Sequence, residues 1–271
     1  MNRTPLLTAA RRWGAALCLV AGVGVGTSPA LAQSVSGPAL VAAAANMQSA
    51  LNELVPLFER GAKGRVSLIS LTIGSSANLM RQIQQGLPAE LFLSADEDFA
   101  LRLADAGLTL NRGVVYATGR IVLVVPKASP VKLDPQLAGL KDALTSAPDS
   151  VLKFAIANPE LAPYGKAAVQ ALQKQAIWPQ LQAKLVSGEN IAQTTQYISS
   201  GAASAGITAL ALVLAPAVAD RVRYVVVAAE LHAPIHQRMV LLKNASPAAR
   251  AFYDFLQSPA ARQVLKRYGY E

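Results

Sequence analysis

Short apolar runs recur along the chain, and each is followed within a few residues by a stretch whose apolar positions fall three and four apart. No other feature restricts the fold as much, because strand-period and helix-period segments in alternation imply parallel strands joined by crossover helices. The run at 39–45 leads into Met47, Ala50, Leu51, Leu54, Val55 and Phe58, one face of a helix that Pro56 should bend. A second strand is expected at 66–73, with Leu79, Met80 and Ile83 as the buried stripe of the next helix and Gly86 as its stop. A strand at 91–94, a helix at 97–106 and a strand at 121–125, closed by Pro126, complete the first block.

After a polar connection at 127–136 the pattern restarts, with strands expected at 154–157, 183–186, 205–208, 224–228 and 239–242 and helices at 165–175 and 191–200. Two final helices each open on a Ser-Pro pair, Ser246-Pro247 and Ser258-Pro259, the residue types of an N-cap and first helical position. Two such blocks predict an α/β fold of two lobes, each a mostly parallel sheet flanked by helices, with a ligand cleft between them. The expected division is a leader at 1–32, a first part of lobe 1 at 33–126, lobe 2 at 127–233, and a return segment of lobe 1 at 234–271.

The leader is read from Arg3, Arg11 and Arg12, an apolar stretch at 13–25 and the Ala30-Leu31-Ala32 cleavage pattern, and it implies export to the periplasm. The single cysteine, Cys18, leaves with it, so the mature chain should hold no disulfide, thiol nucleophile or thiolate metal site. An apolar content of 52% suffices for a core without such staples. Loss of the three leader arginines lowers the formal charge from +9 to +6. The remaining basic residues are scattered singly, which argues against nucleic acid and suits a weak pull on small anions.

Four helix starts follow strands: Asn46, Ser75-Ser76, Pro163-Tyr164-Gly165 and Glu189-Asn190-Ile191. Each leaves unpaired N–H groups at the positive end of a helix dipole. Taken singly, each reads as an ordinary cap; if they converge, they form an anion site.

A hydrolase reading of Ser75 and Ser76 is weak. The turn lacks the second glycine of a nucleophile elbow, and the only candidate bases, His232 and His236, fall in the segment that returns between lobes. Those histidines also make a poor metal pair, because Pro234 opposes the helix that would align them. Asp96, Glu97 and Asp98 fit a helix start without an ion, and no phosphate-loop or dinucleotide pattern occurs, so no cofactor is expected.

At this point a resemblance emerges. Val-Ala-Ala-Ala-Ala-Asn-Met-Gln-Ser-Ala-Leu (41–51), Gly-Ser-Ser-Ala-Asn-Leu-Met-Arg-Gln-Ile (74–83), Gly-Leu-Pro-Ala-Glu-Leu-Phe-Leu-Ser-Ala-Asp (86–96), Pro-Tyr-Gly-Lys-Ala-Ala (163–168), Ala-Phe-Tyr-Asp-Phe-Leu (251–256) and Arg-Tyr-Gly-Tyr (267–270) occur in family order. The chain resembles the periplasmic molybdate-binding proteins of ABC importers.

The resemblance implies a monomeric, two-lobed type II binding protein, not an enzyme, that closes on one tetrahedral oxyanion, molybdate or tungstate, and delivers it to a membrane permease. It also implies the ligand set: Asn46 through its side chain and a nearby N–H, Ser76 through hydroxyl and N–H, and Tyr164 and Ile191 through backbone N–H groups. Molybdenum would be held as the oxyanion by these residues, with no direct protein–metal bond. Two departures from the family pattern stand out. Glu90 replaces an aspartate read as structural, and Ala209 occupies a position where some members place a tyrosine hydroxyl on the ligand.

A site of N–H and O–H donors suits a dianion that only accepts hydrogen bonds, whereas a carboxylate would repel it. The rival readings are a protein for another oxyanion such as sulfate and, from a different class, a secreted serine hydrolase.

Overall fold

The computed structural model describes residues 37–61 and 68–271. The leader expected at 1–32, and the first residues of the strand expected at 66–73, lie outside them.

Among the described residues, ten strands form two five-stranded sheets. They are β1 (Ala39–Ala44), β2 (Ile69–Gly74), β3 (Leu91–Leu93), β4 (Val114–Gly119), β5 (Ile121–Pro126), β6 (Phe154–Ala157), β7 (Leu185–Gly188), β8 (Ala205–Ala209), β9 (Val222–Val226) and β10 (Ile235–Leu241). The helices are α1 (Gln48–Gly61), α2 (Ser76–Gln84), α3 (Asp98–Asp105), α4 (Ala138–Ser146), α5 (Pro163–Lys174), α6 (Trp178–Leu181), α7 (Ile191–Ser199), α8 (Leu210–Val213), α9 (Pro216–Ala219), α10 (Pro247–Leu256) and α11 (Pro259–Arg267).

The first sheet has the order β2-β1-β3-β10-β4 and the second β7-β6-β8-β5-β9. In each, four strands run one way and the fourth in order runs the other, and that reversed strand comes from the far side of a crossing. Thus β5 leaves the first sheet to enter the second, and β10 makes the opposite journey. The lobes therefore exchange a strand, and both crossings sit beside the space between them.

This arrangement corrects the expected crossing at 127. The strand Ile121–Pro126 pairs with β8 and β9 in the second sheet, so the chain crosses at Arg120. A strand is expected from the sequence at 121–125 and none at 114–119, where the structure has β4 ahead of the crossing. Three other strands shift: residues 182–184 form a 3-10 turn ahead of β7, β9 starts at Val222, and β10, expected at 239–242, starts at Ile235.

Burial explains the elements. Val41 and Ala43 of β1 face Leu51 and Leu54 of α1 in one apolar cluster, while Ala42 packs with Leu79 and Phe92 on the other side, the two-sided burial expected of a central strand. Phe58 of α1 meets Phe252 and Phe255 of α10 with ring centroids 5.1 and 5.4 Å apart, a contact that fastens the C-terminal helices to the first lobe. Ser246 and Ser258 cap α10 and α11, their hydroxyls accepting from the N–H groups of Ala249 and Ala261. Glu90 accepts from the N–H of Ser246 at 2.6 Å, so its carboxylate anchors the start of α10.

Candidate functional site

Asn46, Ser76, Tyr164 and Ile191 line a single cavity of about 10 Å³ between the two sheets, together with Ser75 and the small residues Ala44, Ala45, Gly74, Ala95, Ala162 and Pro163. That volume is about what a single water molecule occupies, so the walls are nearly in contact. No charged side chain lines it. A wider groove of about 540 Å³ runs along β4 past Val115, Leu265 and Tyr270 and shares no lining residue with this cavity.

Each wall is set by local chemistry. Ser76 is the first residue of α2, and its hydroxyl accepts from the N–H of Ala95 at 3.0 Å, which holds the helix start against the end of β3 and leaves the serine proton free to donate. The Ser75 hydroxyl is buried without a partner. On the second lobe, Asn190 caps α7 by accepting from Ala192 and Gln193, both at 3.0 Å. The cap thereby satisfies the second and third amides and passes over the first, that of Ile191.

Pro163 fills the first position of α5, where its missing N–H costs nothing, and Tyr164 follows. The start of α5 lies so close to β6 that a Cβ on Gly165 would stand 2.1 Å from the carbonyl of Ala157, a separation only glycine permits. Among the described residues, no carbonyl accepts from the backbone N–H of Asn46, Ser76, Tyr164 or Ile191.

The lobes touch around this cavity. The N–H of Ala77 donates to the carbonyl of Leu161, and Asn78 donates to Glu189 at 3.0 Å. Ala44, Ala45 and Ala95 of the first lobe share an apolar cluster with Ala157, Ala162, Tyr164 and Ile191 of the second. The arrangement is a closed one.

One expectation about Asn46 needs revision. Its side-chain nitrogen is turned away from any guest, donating to Gln237 Oε1 at 2.8 Å and to the Tyr270 hydroxyl at 2.9 Å. Its Oδ1 is buried without a partner. Gln237, fully buried on β10, also accepts from Tyr116 and donates to Tyr164. Sequence reasoning missed Gln237, although a signal exists: Ile235, Gln237, Met239 and Leu241 are the inward positions of β10, and a glutamine among three apolar residues marks a buried polar contact.

Burial pushes the phenols of Tyr116, Tyr164 and Tyr270 above their ordinary value, so all three stay neutral. Asp96, which follows the lining residue Ala95, is pushed up by burial as well, and it is held by the Ser94 hydroxyl and the Phe99 N–H. His232 and His236 do not line the cavity, and neither does Ala209, which is packed in the core as the last residue of β8. Among the described residues no group of three acidic, histidine or cysteine side chains could hold a metal, and no helix is long and apolar enough to cross a membrane.

Two strand-exchanged lobes closing on a cavity walled by helix starts define a two-lobed solute-binding protein of the type II class, a carrier of small molecules and not an enzyme. The chain belongs to the bacterial extracellular solute-binding protein family, which matches it over residues 39–271. It is 34% identical to the molybdate-binding protein ModA of Azotobacter vinelandii over 255 residues, covering 93% of this chain and 96% of that one. It is 34% identical to ModA of Rhodobacter capsulatus over 263 residues, covering 96% of each. The solved structure of the Azotobacter vinelandii periplasmic molybdate-binding protein superposes with a TM-score of 0.76 at 29% identity, covering 86% of this chain and 98% of that one.

Proposed function

We propose that this protein captures molybdate, and tungstate with it, between its lobes in the periplasm and delivers it to the membrane permease of an ABC importer. The observation that carries the reading is that Asn46, Ser76, Tyr164 and Ile191, whose backbone N–H groups have no carbonyl acceptor among the described residues, all line one small cavity that no charged side chain lines. Such a cavity offers donors from every side and no carboxylate to repel an anion. A tetrahedral oxyanion offers acceptors in every direction and no proton at neutral pH. The helix dipoles supply partial positive charge, and exclusion of water makes each donor count for more than it would at the surface. The ModA relatives point to molybdate among the possible oxyanions.

Donors divided between lobes also supply a mechanism. Asn46 and Ser76 hold the guest from one side and Tyr164 and Ile191 from the other, so the bound ion favours the closed form, which the permease then recognises. Residues 1–32 act as the export leader, the mature chain works as a monomer, and no cofactor takes part. Discrimination against sulfate rests on cavity size, since both ions are tetrahedral acceptors.

A thermal-shift panel of molybdate, tungstate, sulfate and phosphate tests the reading. Molybdate and tungstate should each raise Tm in a concentration-dependent way, reaching about 2.7 kcal/mol of added stability at a hundredfold excess over Kd. A larger shift with sulfate would move the assignment to that ion.

A further inference from the structure

The unpartnered Oδ1 of Asn46 is at odds with an anion site. Asn46 lines the cavity, both protons of its side-chain nitrogen are committed to Gln237 and Tyr270, and the carboxamide atom left over is an acceptor. An oxyanion meeting that oxygen would be repelled, and a buried acceptor without a donor is itself costly.

The remedy lies in the residue behind it. Gln237 Oε1 receives from Asn46 and from Tyr116 at 3.0 Å, and its Nε2 donates to the Tyr164 hydroxyl at 2.9 Å. If both carboxamides turn over together, Gln237 Nε2 donates to Asn46 Oδ1 and to the Tyr116 hydroxyl, which keeps the Ser94 carbonyl, 3.4 Å away, as an acceptor. The Tyr164 hydroxyl then donates to Gln237 Oε1. The Tyr270 hydroxyl goes on donating to the Asn46 carbonyl at 2.9 Å. One contact is lost, Asn46 to Tyr270, and the Asn46 nitrogen is freed for the guest.

We infer that Gln237 is a positioning residue for oxyanion binding: by turning with Asn46 it converts that side chain from acceptor to donor toward the cavity. The inference deepens the oxyanion reading above and rests on it. The same turn joins the two lobes, since Gln237 stands on β10 of the first and Tyr164 on α5 of the second. Their contact is close-fitting, because a Cβ on Gly119, beside the crossing, would come within 2.1 Å of the Tyr164 hydroxyl and 2.7 Å of Gln237 Nε2. Gln237 is thus in contact with Asn46 and with the helix that closes over the guest.

Gln237→Glu provides the test, read by calorimetric titration with molybdate from mildly acidic to mildly alkaline pH. A carboxylate at this position only accepts, so it keeps the Asn46 nitrogen turned away and leaves Oδ1 toward the ion. The protonated acid can donate to Oδ1, and burial should bring its titration into the accessible range. The groups around position 237 are the phenols of Tyr116, Tyr164 and Tyr270 and, beyond the end of β3, Asp96. His236 and Arg238, on the opposite face of the strand, are engaged by Thr118 and Glu97.

The expected result is affinity about tenfold to a hundredfold below wild type at alkaline pH, recovering as the pH falls, against a nearly flat wild-type profile. A variant that binds as tightly as wild type at every pH, or whose loss does not change with pH, would overturn the inference. Should Gln237→Glu fail to fold, Gln237→Met, which keeps the volume and forms no hydrogen bond, should bind molybdate more weakly at all pH values, and unchanged affinity there counts against it. On the wild-type chain, the Asn46 side-chain 15N resonance should shift on saturation with molybdate; an unmoved resonance overturns the turning of the carboxamide. A wild type that binds none of the four oxyanions overturns the reading of the site and this inference with it, whereas intact wild-type binding with an indifferent position 237 removes only the latter.

Discussion

The N–H of Ala77 donates to the carbonyl of Leu161 at 3.2 Å, a bond between lobes one residue from Ser76 and three from Tyr164. It marks the rim where the two halves of the site are brought together. A change on either side of that rim should therefore be felt as a change in affinity, and changes that disturb one helix start should leave the rest of the fold standing.

Ser76→Ala removes a hydroxyl that both supports the Ala95 N–H and is free to donate into the cavity. Molybdate affinity should fall by about 1–3 kcal/mol, roughly fivefold to 150-fold, as measured by calorimetry. Unchanged affinity would take Ser76 out of the ligand set.

Asn190→Ala deletes the cap that serves Ala192 and Gln193. About 1 kcal/mol of stability should be lost in denaturant unfolding. Affinity should drop as well, because the uncapped turn no longer holds the Ile191 N–H in place. A variant with lower stability and wild-type affinity would show that the cap is structural alone.

Gly165→Ala places a methyl against the Ala157 carbonyl, which belongs to a strand and cannot move aside cheaply. The start of α5 must shift, carrying the Tyr164 N–H with it. A destabilisation of about 1–3 kcal/mol is expected from the overpacking, together with weaker molybdate binding. Wild-type Tm and affinity together would contradict the close approach.

How much of this was legible in the sequence follows from the range of each interaction. The helix starts at Ser76, Tyr164 and Ile191 could be read because turn glycines, capping side chains and apolar spacing are local signals. The partnership of Ser76 with Ala95 spans a helix and a strand, and that of Gln237 with Asn46 spans most of the chain; neither leaves a trace in any window of neighbouring residues. The crossing at Arg120 was hidden for a related reason. Nothing local tells that the strand at 121–125 pairs in the second sheet, and only the choice of pairing partners assigns β4 and β5 to different sheets. The side-chain role of Asn46 came from the family resemblance alone, and its present partners, Gln237 and Tyr270, lie 191 and 224 residues away along the chain.

His232 supplies a pH dependence of stability. Burial is the main cause that lowers its pKa below the ordinary 6.5; the Arg120 charge adds to this and a bond to the Ala233 carbonyl opposes it. The unfolded chain therefore takes up a proton first as pH falls, and stability present above about 6.5 is lost below it. In His232→Gln the fall in Tm between neutral and mildly acidic pH should be smaller than in wild type. An identical fall in both would assign the acid sensitivity to other groups.

The central claim is that neutral donors from both lobes surround one oxyanion, and calorimetric titration of the wild-type chain with molybdate in sulfate-containing buffer tests it most directly. Saturable binding of a single ion per chain, undiminished by the sulfate, is the predicted result. The absence of any saturable heat would contradict the account.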